Sequence, residues 1–527
     1  MDTVNFASSA NGAIGQVFTP LSWADWAIEK GPYADWLAGG TILDPTGGAG
    51  VFLEAFISRA ISEDRTITQD MLNRLFMVER DAEQCQAAID RCMSRYGIEL
   101  PESNILNEDF FRVTTPINAT SIVGNPPWIN FVDLPNAYKD FVKPFFVKYG
   151  LVPDLRRVLW GGSRIDLAAA VLAKCVRDHC ADSATIVFYL PLSLFMNDGA
   201  HQAFRDLSFR QQCFRIEELH DLSQRGVFPE ISTRYCLAKL RKGGNTSFPI
   251  NFWIHESGRK TRCEHAKPFS QENNALTIGD LPDAPVIRVP RASLPRQGVN
   301  TCGANERFFF DTTEWQSDGV CVVSNKSSLV RLEESLVFPL ITGKNFANGP
   351  LQSKVCKHVF LPYDRHTGKP LDSTELEQRF PLAWSYLLSI SDQLQNRKGT
   401  MLGQHIAKGR WWSLLGVGRY TFAPYKIVWQ AYGQNEFRPE LFTSEWIPNQ
   451  SLQASMSFDD LQTANQVLQS LRDANLTAYL RSGQMAGTAS WAQPGKIKMF
   501  LEAIDNDSQF SLFDVLDFDP EKAITLT

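Results

Sequence analysis

Up to about residue 242 the chain alternates short apolar, β-type runs with longer amphipathic, alanine-rich stretches, and that alternation leaves few folds open. Short apolar runs read as strands buried on both faces. The stretches between them read as the helices that cover those faces, giving an α/β domain with a mixed, mostly parallel sheet. Strands are expected at 41–43, 75–78, 121–123, 184–189, 216–221 and 235–239, and helices at 22–29, 51–61, 82–96, 165–178 and 199–208. A turn cluster, Lys242-Gly243-Gly244-Asn245, ends the pattern, and Pro-, Asn- and Arg-rich sequence of weaker periodicity follows to about residue 330. The expected division is an α/β domain over 1–242, a linking region over 243–330, a second domain over 331–500 and an acidic tail over 501–527. No internal repeat is visible.

Within the first domain, Asp44-Pro45-Thr46-Gly47-Gly48-Ala49-Gly50 joins a strand to a helix start. Glycines accept positive φ and let backbone approach a ligand closely, while the helix N-terminus offers free N–H groups. An ordinary strand-to-helix turn would carry the same pattern. The run fits neither the G-x-G-x-x-G dinucleotide fingerprint nor a G-x-x-x-x-G-K-[ST] phosphate loop. Asp44 at the strand end suits a cationic ligand part better than a phosphate. A second acid, Glu79, ends the strand beginning at Leu75, where a carboxylate can accept both hydroxyls of a ribose. A third position, Asp109 followed by Phe110, could bond to and stack on an adenine ring.

The decisive motif is Asn125-Pro126-Pro127-Trp128, directly after the strand at 121–123 and Gly124. Two prolines fix φ and supply no donor, so the Pro126 carbonyl is rigidly aimed as an acceptor. The Asn125 side-chain carbonyl is a second acceptor, and Trp128 offers a large aromatic face. Two acceptors beside a stacking ring suit a planar base bearing an exocyclic amine, such as adenine N6.

With these motifs in place the sequence resembles the S-adenosylmethionine-dependent DNA adenine-N6 methyltransferases of the gamma order, in which cofactor motifs precede the catalytic motif and target recognition comes last. The resemblance covers residues 12–240 clearly and 330–500 more loosely. It implies a Rossmann-like methyltransferase domain, a C-terminal α+β target recognition domain, and S-adenosylmethionine as cofactor. Asp44, Thr46, Gly48 and Gly50 fall in the family's cofactor loop, Glu79 at its ribose acid, and Asp109 and Phe110 at its adenine contacts. Gly15-Gln16-Val17-Phe18-Thr19-Pro20 is similar to the N-terminal motif, which implies that Phe18, Thr19 and Pro20 hold the methionine end of the cofactor. Asn125, Pro126, Pro127 and Trp128 fall at the catalytic tetrapeptide, and Gly226-Val227-Phe228-Pro229 nominates Phe228 beside Trp128 to stack on a flipped adenine. The tryptophan departs from the more usual Tyr or Phe, which alters pocket size more than chemistry. Asp44 and Asn125 are too close in sequence to enclose a recognition domain, so target reading is expected after residue 240.

The overall charge of −6 argues against a nucleic-acid partner until its distribution is read. Residues 501–527 hold seven acids and one base, so the remaining 500 residues net to zero. From Gln393 to Asn435 there is no Asp or Glu. In that window Arg397, Lys398, Lys408, Arg410, Arg419 and Lys426 are interleaved with aromatics that include Trp411 and Trp412. Cations contact phosphates and aromatics reach bases, so these residues, with Lys344 in Ile341-Thr342-Gly343-Lys344, form the expected surface for double-stranded DNA. The same aromatics would equally serve as the domain's core.

The ten cysteines are scattered without C-x-x-C spacing, so neither a metal site nor a disulfide framework is expected. The N-terminal residues lack a secretory pattern and the longest apolar run is too short to span a bilayer, giving a cytoplasmic, nucleoid-associated protein as the expectation. Two other readings stay open: a methyltransferase acting on RNA adenine or protein glutamine, and a non-catalytic DNA-binding defence subunit. Cleavage, if it accompanies the chain, would belong to a partner restriction endonuclease or another defence component. In the tail, Gln509-Phe510-Ser511-Leu512-Phe513 resembles the peptide by which bacterial proteins dock on the sliding clamp, with Phe510 in place of the usual Leu.

Overall fold

A computed structural model describes residues 17–505 apart from 153–164, 197–200, 207, 210–211, 230, 270–273, 280, 283, 348–353, 399, 433–435, 451–452 and 485–491. The chain forms two compact units, Met1–Pro282 with Ser482–Gly487 and Asp283–Arg481 with Thr488–Thr527.

In the first unit α1 (Leu21–Ile28) leads to β1 (Ile42–Asp44), α2 (Val51–Ser62), β2 (Leu75–Glu79), α3 (Ala82–Tyr96), β3 (Ile105–Asn107) and β4 (Ala119–Gly124). Then come α4 (Asn136–Lys148), α5 (Leu167–Lys174), β5 (Cys180–Pro191), β6 (Gln212–Gln224), β7 (Tyr235–Lys242), β8 (Ile250–Glu256), β9 (Arg262–Pro268) and β10 (Leu276–Ile278). The sheet order is β10-β9-β8-β6-β7-β5-β4-β1-β2-β3, with Ser208–Phe209 pairing with β6 off this path. Strands β3, β2, β1, β4 and β5 run parallel, and β7 is antiparallel to both β5 and β6. The six expected strands all form, and the fold class is α/β.

Of the elements up to β7 listed above, two escaped the sequence pattern. β3 is a three-residue strand ending in Asn107, too short to register as an apolar run. α4 carries Pro144 in its interior, which reads as a helix breaker along the sequence. The expected boundary at 242 is also corrected. Gly243 and Gly244 adopt φ of +81° and +73° in a turn, after which β8 returns alongside β6 and β9 and β10 extend the same sheet. Residues 243–282 therefore belong to the first unit.

Successive residues of the strands feed opposite layers, as period-2 geometry demands. Leu43, Ile122, Ile186 and Phe188 pack with α4 and α5, whereas Ile42, Val123, Val187 and Tyr189 pack with α1, α2 and α3. Asp81 caps α3 by accepting from the Glu83 N–H at 2.9 Å. Glu54, wholly buried on α2, accepts from Arg91 at 3.1 Å, Arg95 at 2.7 Å and Tyr96 at 3.2 Å, which ties α2 to α3. Replacing both arginines by alanine strands that carboxylate, and the unfolding free energy in urea should fall by about 3 kcal/mol. A loss under about 1 kcal/mol would mean the network is incidental.

The second unit is built of small sheets with separate helices. Tyr425–Gln430 pairs antiparallel with Glu440–Thr443 and Gln453–Phe458, and Thr312–Trp315, Val320–Asn325 and Ser328–Glu333 form a meander. Its main apolar cluster joins Phe308, Val323, Phe360, Leu387, Trp412 and Ile447. Among the described residues no helix is long and apolar enough to cross a membrane.

Candidate functional site

The carboxyl ends of β3, β2, β1 and β4 lie side by side, in register from Asn107 against Glu79 to Leu43 against Ile122. From β1 the chain crosses through α2 to β2 on one side, while β4 flanks β1 on the other. A crevice between diverging connections is where open α/β sheets bind ligands. The expected residues Asp44, Glu79, Asp109 and Asn125 sit in this row, at or just beyond these strand ends.

Asp44 ends β1, fully buried. Its Oδ1 accepts from the Thr46 N–H at 3.1 Å, and its Oδ2 and the Thr46 hydroxyl are buried without a partner among the described residues. Burial pushes the Asp44 carboxyl up to about 8, opposed by the Thr46 N–H and assisted by the nearby charge of Glu79. The glycines of the turn have separate tasks. A Cβ at Gly47 would collide with Met77 at 2.1 Å, and one at Gly50, where φ is +73°, would meet Ala88 at 2.5 Å. Gly48, with φ of +52°, faces space in which no atom of the described residues lies within 4 Å of such a Cβ. Gly47 and Gly50 thus let the turn lie down on the sheet and α3, and Gly48 presents bare backbone.

Glu79 is held in place by its own neighbourhood. Its Oε2 accepts from the Gly48 N–H at 3.0 Å and its Oε1 from the Asp81 N–H at 2.9 Å. This joins the β2 acid directly to the glycine turn. Asp109 accepts from the Phe111 N–H at 2.9 Å and from the Tyr138 hydroxyl, also at 2.9 Å, while Phe110 is buried beneath it against His179. Tyr138, on the helix that Pro144 concealed, was missed from sequence. A Tyr on the apolar face of that stretch was the available signal.

Asn125 follows β4. Its Nδ2 donates to the Val17 carbonyl at 3.4 Å and to Thr19 Oγ1 at 3.2 Å, and its Oδ1 is buried without a partner among the described residues. Thr19 is buried, Pro20 caps α1, and Phe18 is 69% exposed. A Cβ at Gly124 would lie 2.8 Å from Asp44 Oδ1, so only glycine lets β4 pass this close to the first acid. Orphaned acceptors at Asp44 and Asn125 therefore share one edge. Buried polar atoms are almost always paired in folded proteins, so two that are unpartnered among the described residues make this edge the candidate ligand site.

Trp128 is half-buried, with its indole N–H on the Tyr189 carbonyl at 3.2 Å. One side of it stacks on Tyr235 at 5.4 Å and 27°, and its edge meets Phe228 at 5.3 Å and 82°. Phe228 is 4% exposed and also packs on Tyr189. The two rings nominated to sandwich a base are thus adjacent but nearly perpendicular, with no parallel-walled slot between them. Tyr235, not anticipated, is the aromatic that backs Trp128.

In the second unit the nominated cations separate into two groups. Arg397 spends its guanidinium on the carbonyls of Leu394, Thr301, Trp411 and Ser413, at 2.6–3.0 Å. Lys426 is fully buried and donates to the carbonyls of Thr421, Ala423 and Ser444, at 3.0–3.2 Å, and burial lowers its ammonium to about 7. Trp412 is 2% exposed and donates to the Leu371 carbonyl. These three are internal supports, a correction to their nomination as DNA contacts. Their charges and rings close the loops of this unit because those loops carry backbone carbonyls that helices and strands leave unpaired. Lys344, Lys398, Lys408, Arg410 and Arg419 are exposed, and Trp411 is half-buried against Trp384.

No protein-family profile matches the chain. In sequence it is similar to the Type II methyltransferase M.NspV of Nostoc sp., with 30% identity over 117 residues, 22% of this chain and 23% of that protein. In structure it is similar to the Type IIL restriction-modification enzyme MmeI solved in complex with DNA, with a TM-score of 0.55 and 12% identity over 90% of this chain and 65% of that one. The chain thus spans less than a quarter of the curated relative's length and just under two thirds of the solved enzyme's.

Proposed function

We propose that this chain, which has the α/β fold of the S-adenosylmethionine-dependent restriction-modification methyltransferases, methylates adenine N6 in duplex DNA at a specific sequence. The observation that carries this reading is the pair of buried polar atoms, Asp44 Oδ2 and Asn125 Oδ1, at one edge of the sheet and unpartnered among the described residues. The residues fit the cofactor. Asp44 would hold the cationic portion, the bare turn at Gly48 would admit close backbone contact, and Glu79, already held by two N–H groups, keeps lone pairs that would accept from a ribose. S-adenosylmethionine supplies an electrophilic methyl group on a sulfonium.

The chain's part is orientation and electrostatics. Asn125 Oδ1 and the Pro126 carbonyl accept the two N6–H bonds, which turns the N6 lone pair out of conjugation with the ring and toward the methyl. Trp128 lies against the ring. Phe228 would have to rotate from its present packing to complete a sandwich. The base must leave the duplex to reach these groups, so the reaction includes base flipping. The N6–CH3 bond would form as the methyl–sulfur bond breaks, with a neutral thioether leaving and the surplus N6 proton passing to water, so no covalent protein intermediate is called for.

Labelled cofactor incubated separately with duplex DNA, RNA and release-factor protein tests the substrate class. Label in DNA adenine supports the reading, and label in RNA or in glutamine alone replaces it with the corresponding alternative.

Sequence reading of DNA falls to the second unit, through Lys344, Lys398, Lys408, Arg410, Arg419 and Trp411. Changing Lys398, Lys408, Arg410 and Arg419 together to glutamine should weaken duplex binding about tenfold or more at 0.15 M salt and flatten the log–log salt dependence by about 0.9 per lost phosphate contact. Arg397→Ala and Lys426→Ala should instead lower the stability of the unit by about 2 kcal/mol, because each strands several carbonyls. Titrations across salt concentration and urea unfolding separate the two groups. An unchanged salt slope in the fourfold variant would move the DNA surface elsewhere.

A restriction endonuclease or another defence component would be the natural partner of such an enzyme. The clamp-like peptide Gln509-Phe510-Ser511-Leu512-Phe513 lies outside the described residues. We propose it as a sliding-clamp contact, to be tested by clamp binding before and after removal of residues 506–527. Loss on removal is the expected result, and equal binding ends the idea.

A further inference from the structure

We infer that Thr19 is a positioning residue for the Asn125 amide, a role that rests on the methyltransferase reading above. The family resemblance assigns Thr19 to the methionine end of the cofactor, but its hydroxyl here is turned to another partner. Thr19 Oγ1 lies 3.2 Å from Asn125 Nδ2, across 106 residues of sequence, and Thr19 is 9% exposed. The second N–H of the same amide meets the Val17 carbonyl at 3.4 Å.

These two contacts do different things. A backbone carbonyl can only accept, so Val17 decides which end of the amide faces it. Turned over, Asn125 would set its oxygen against that carbonyl, lone pair against lone pair. Thr19 supplies the second point, and two points fix the plane of the amide where one leaves it free to swing. The consequence lies at the other end of the group. Asn125 Oδ1 is buried and, among the described residues, unpartnered, so the hydrogen bonds that aim it are those made on the nitrogen side. The short segment 17–20 ahead of α1 therefore braces the acceptor for the target amine, and Thr19 does so without being required to touch the base.

Thr19→Val keeps shape and removes the acceptor, and Thr19→Ser keeps the hydroxyl. With the full chain and unmodified duplex DNA, Thr19→Val should lower kcat about tenfold or more while KM for S-adenosylmethionine stays within about twofold, because a misaimed group costs rate rather than affinity. Thr19→Ser should recover most of the rate. A readout independent of activity comes from selective ¹⁵N-asparagine labelling. The Asn125 Nδ2 protons, assigned by their disappearance in Asn125→Ala, should be protected from exchange in the wild type and in Thr19→Ser and unprotected in Thr19→Val. A Thr19→Val enzyme whose KM for S-adenosylmethionine rises tenfold with kcat unchanged overturns the inference in favour of a cofactor contact. Unchanged protection and kcat overturn it as well. If the wild type transfers no methyl to DNA but Thr19→Val still loses protection, the functional reading falls and the bracing of Asn125 stands.

Discussion

Asn125→Ala should reduce methyl transfer to DNA by at least about a thousandfold while leaving affinity for S-adenosylmethionine within about threefold. The size follows from what the side chain does and what it does not do. In the proposed mechanism its Oδ1 would be one of two acceptors holding the amine and would act on the nitrogen lone pair as it becomes nucleophilic, so its removal should be felt in the transition state. Its Nδ2 faces Val17 and Thr19, not the glycine turn, so the cofactor side loses little. Single-turnover methylation and a separate cofactor titration check both halves. A variant that keeps more than about a tenth of the wild-type rate would remove Asn125 from the chemistry.

Asp44→Asn should do two opposite things: weaken S-adenosylmethionine binding about a hundredfold and stabilise the protein without cofactor by about 1–3 kcal/mol at pH 8. The carboxyl is fully buried with one oxygen unpartnered, and burial raises it to about 8, well above the ordinary carboxylate range. For an acid raised on folding, the folded state holds its proton more tightly than the unfolded chain. The associated stability is therefore complete below about pH 4, where both forms are protonated, and is lost as pH rises toward about 8. The amide has no such dependence, so thermal unfolding of wild type and Asp44→Asn should diverge as pH goes from 5 to 8. Binding of a cationic ligand requires the ionised form. Wild-type affinity should thus rise with pH up to about 8 and then level off. A flat binding profile, together with an unchanged affinity in Asp44→Asn, would remove Asp44 from the cofactor site.

The gathering of Asp44, Glu79 and Asn125 on one edge could be read from sequence because the first two end strands and the third directly follows one, and parallel topology brings strand ends together. The same logic placed Asp109, although its strand was too short to see. What sequence could not supply was the direction of side chains between elements distant along the chain. Nothing in the order of residues brings Tyr138 to Asp109, or turns Thr19 toward Asn125. Phe228 was nominated as a stacking ring, and it lies beside Trp128 but edge-on and packed among Tyr189 and Tyr235. The acid-free window 393–435 misled in a similar way. Absence of Asp and Glu says where cations are unopposed along the chain, but backbone carbonyls compete for them in space, and they hold Arg397 and Lys426 inside. The boundary at 242 failed because paired glycines serve a turn between two strands of one sheet as readily as a linker, and here the chain passes β6 to place β8 on its far side.

Methylation by this chain can be read in a host whose DNA lacks adenine methylation, expressing the chain or its Asn125→Ala variant, with nucleoside mass spectrometry and long-read sequencing of the recovered DNA. N6-methyldeoxyadenosine is expected in a single sequence context with the wild-type chain and none with the variant. Unmodified adenine with both, in cells where the chain is folded and binds S-adenosylmethionine, or equal modification with both, would contradict it.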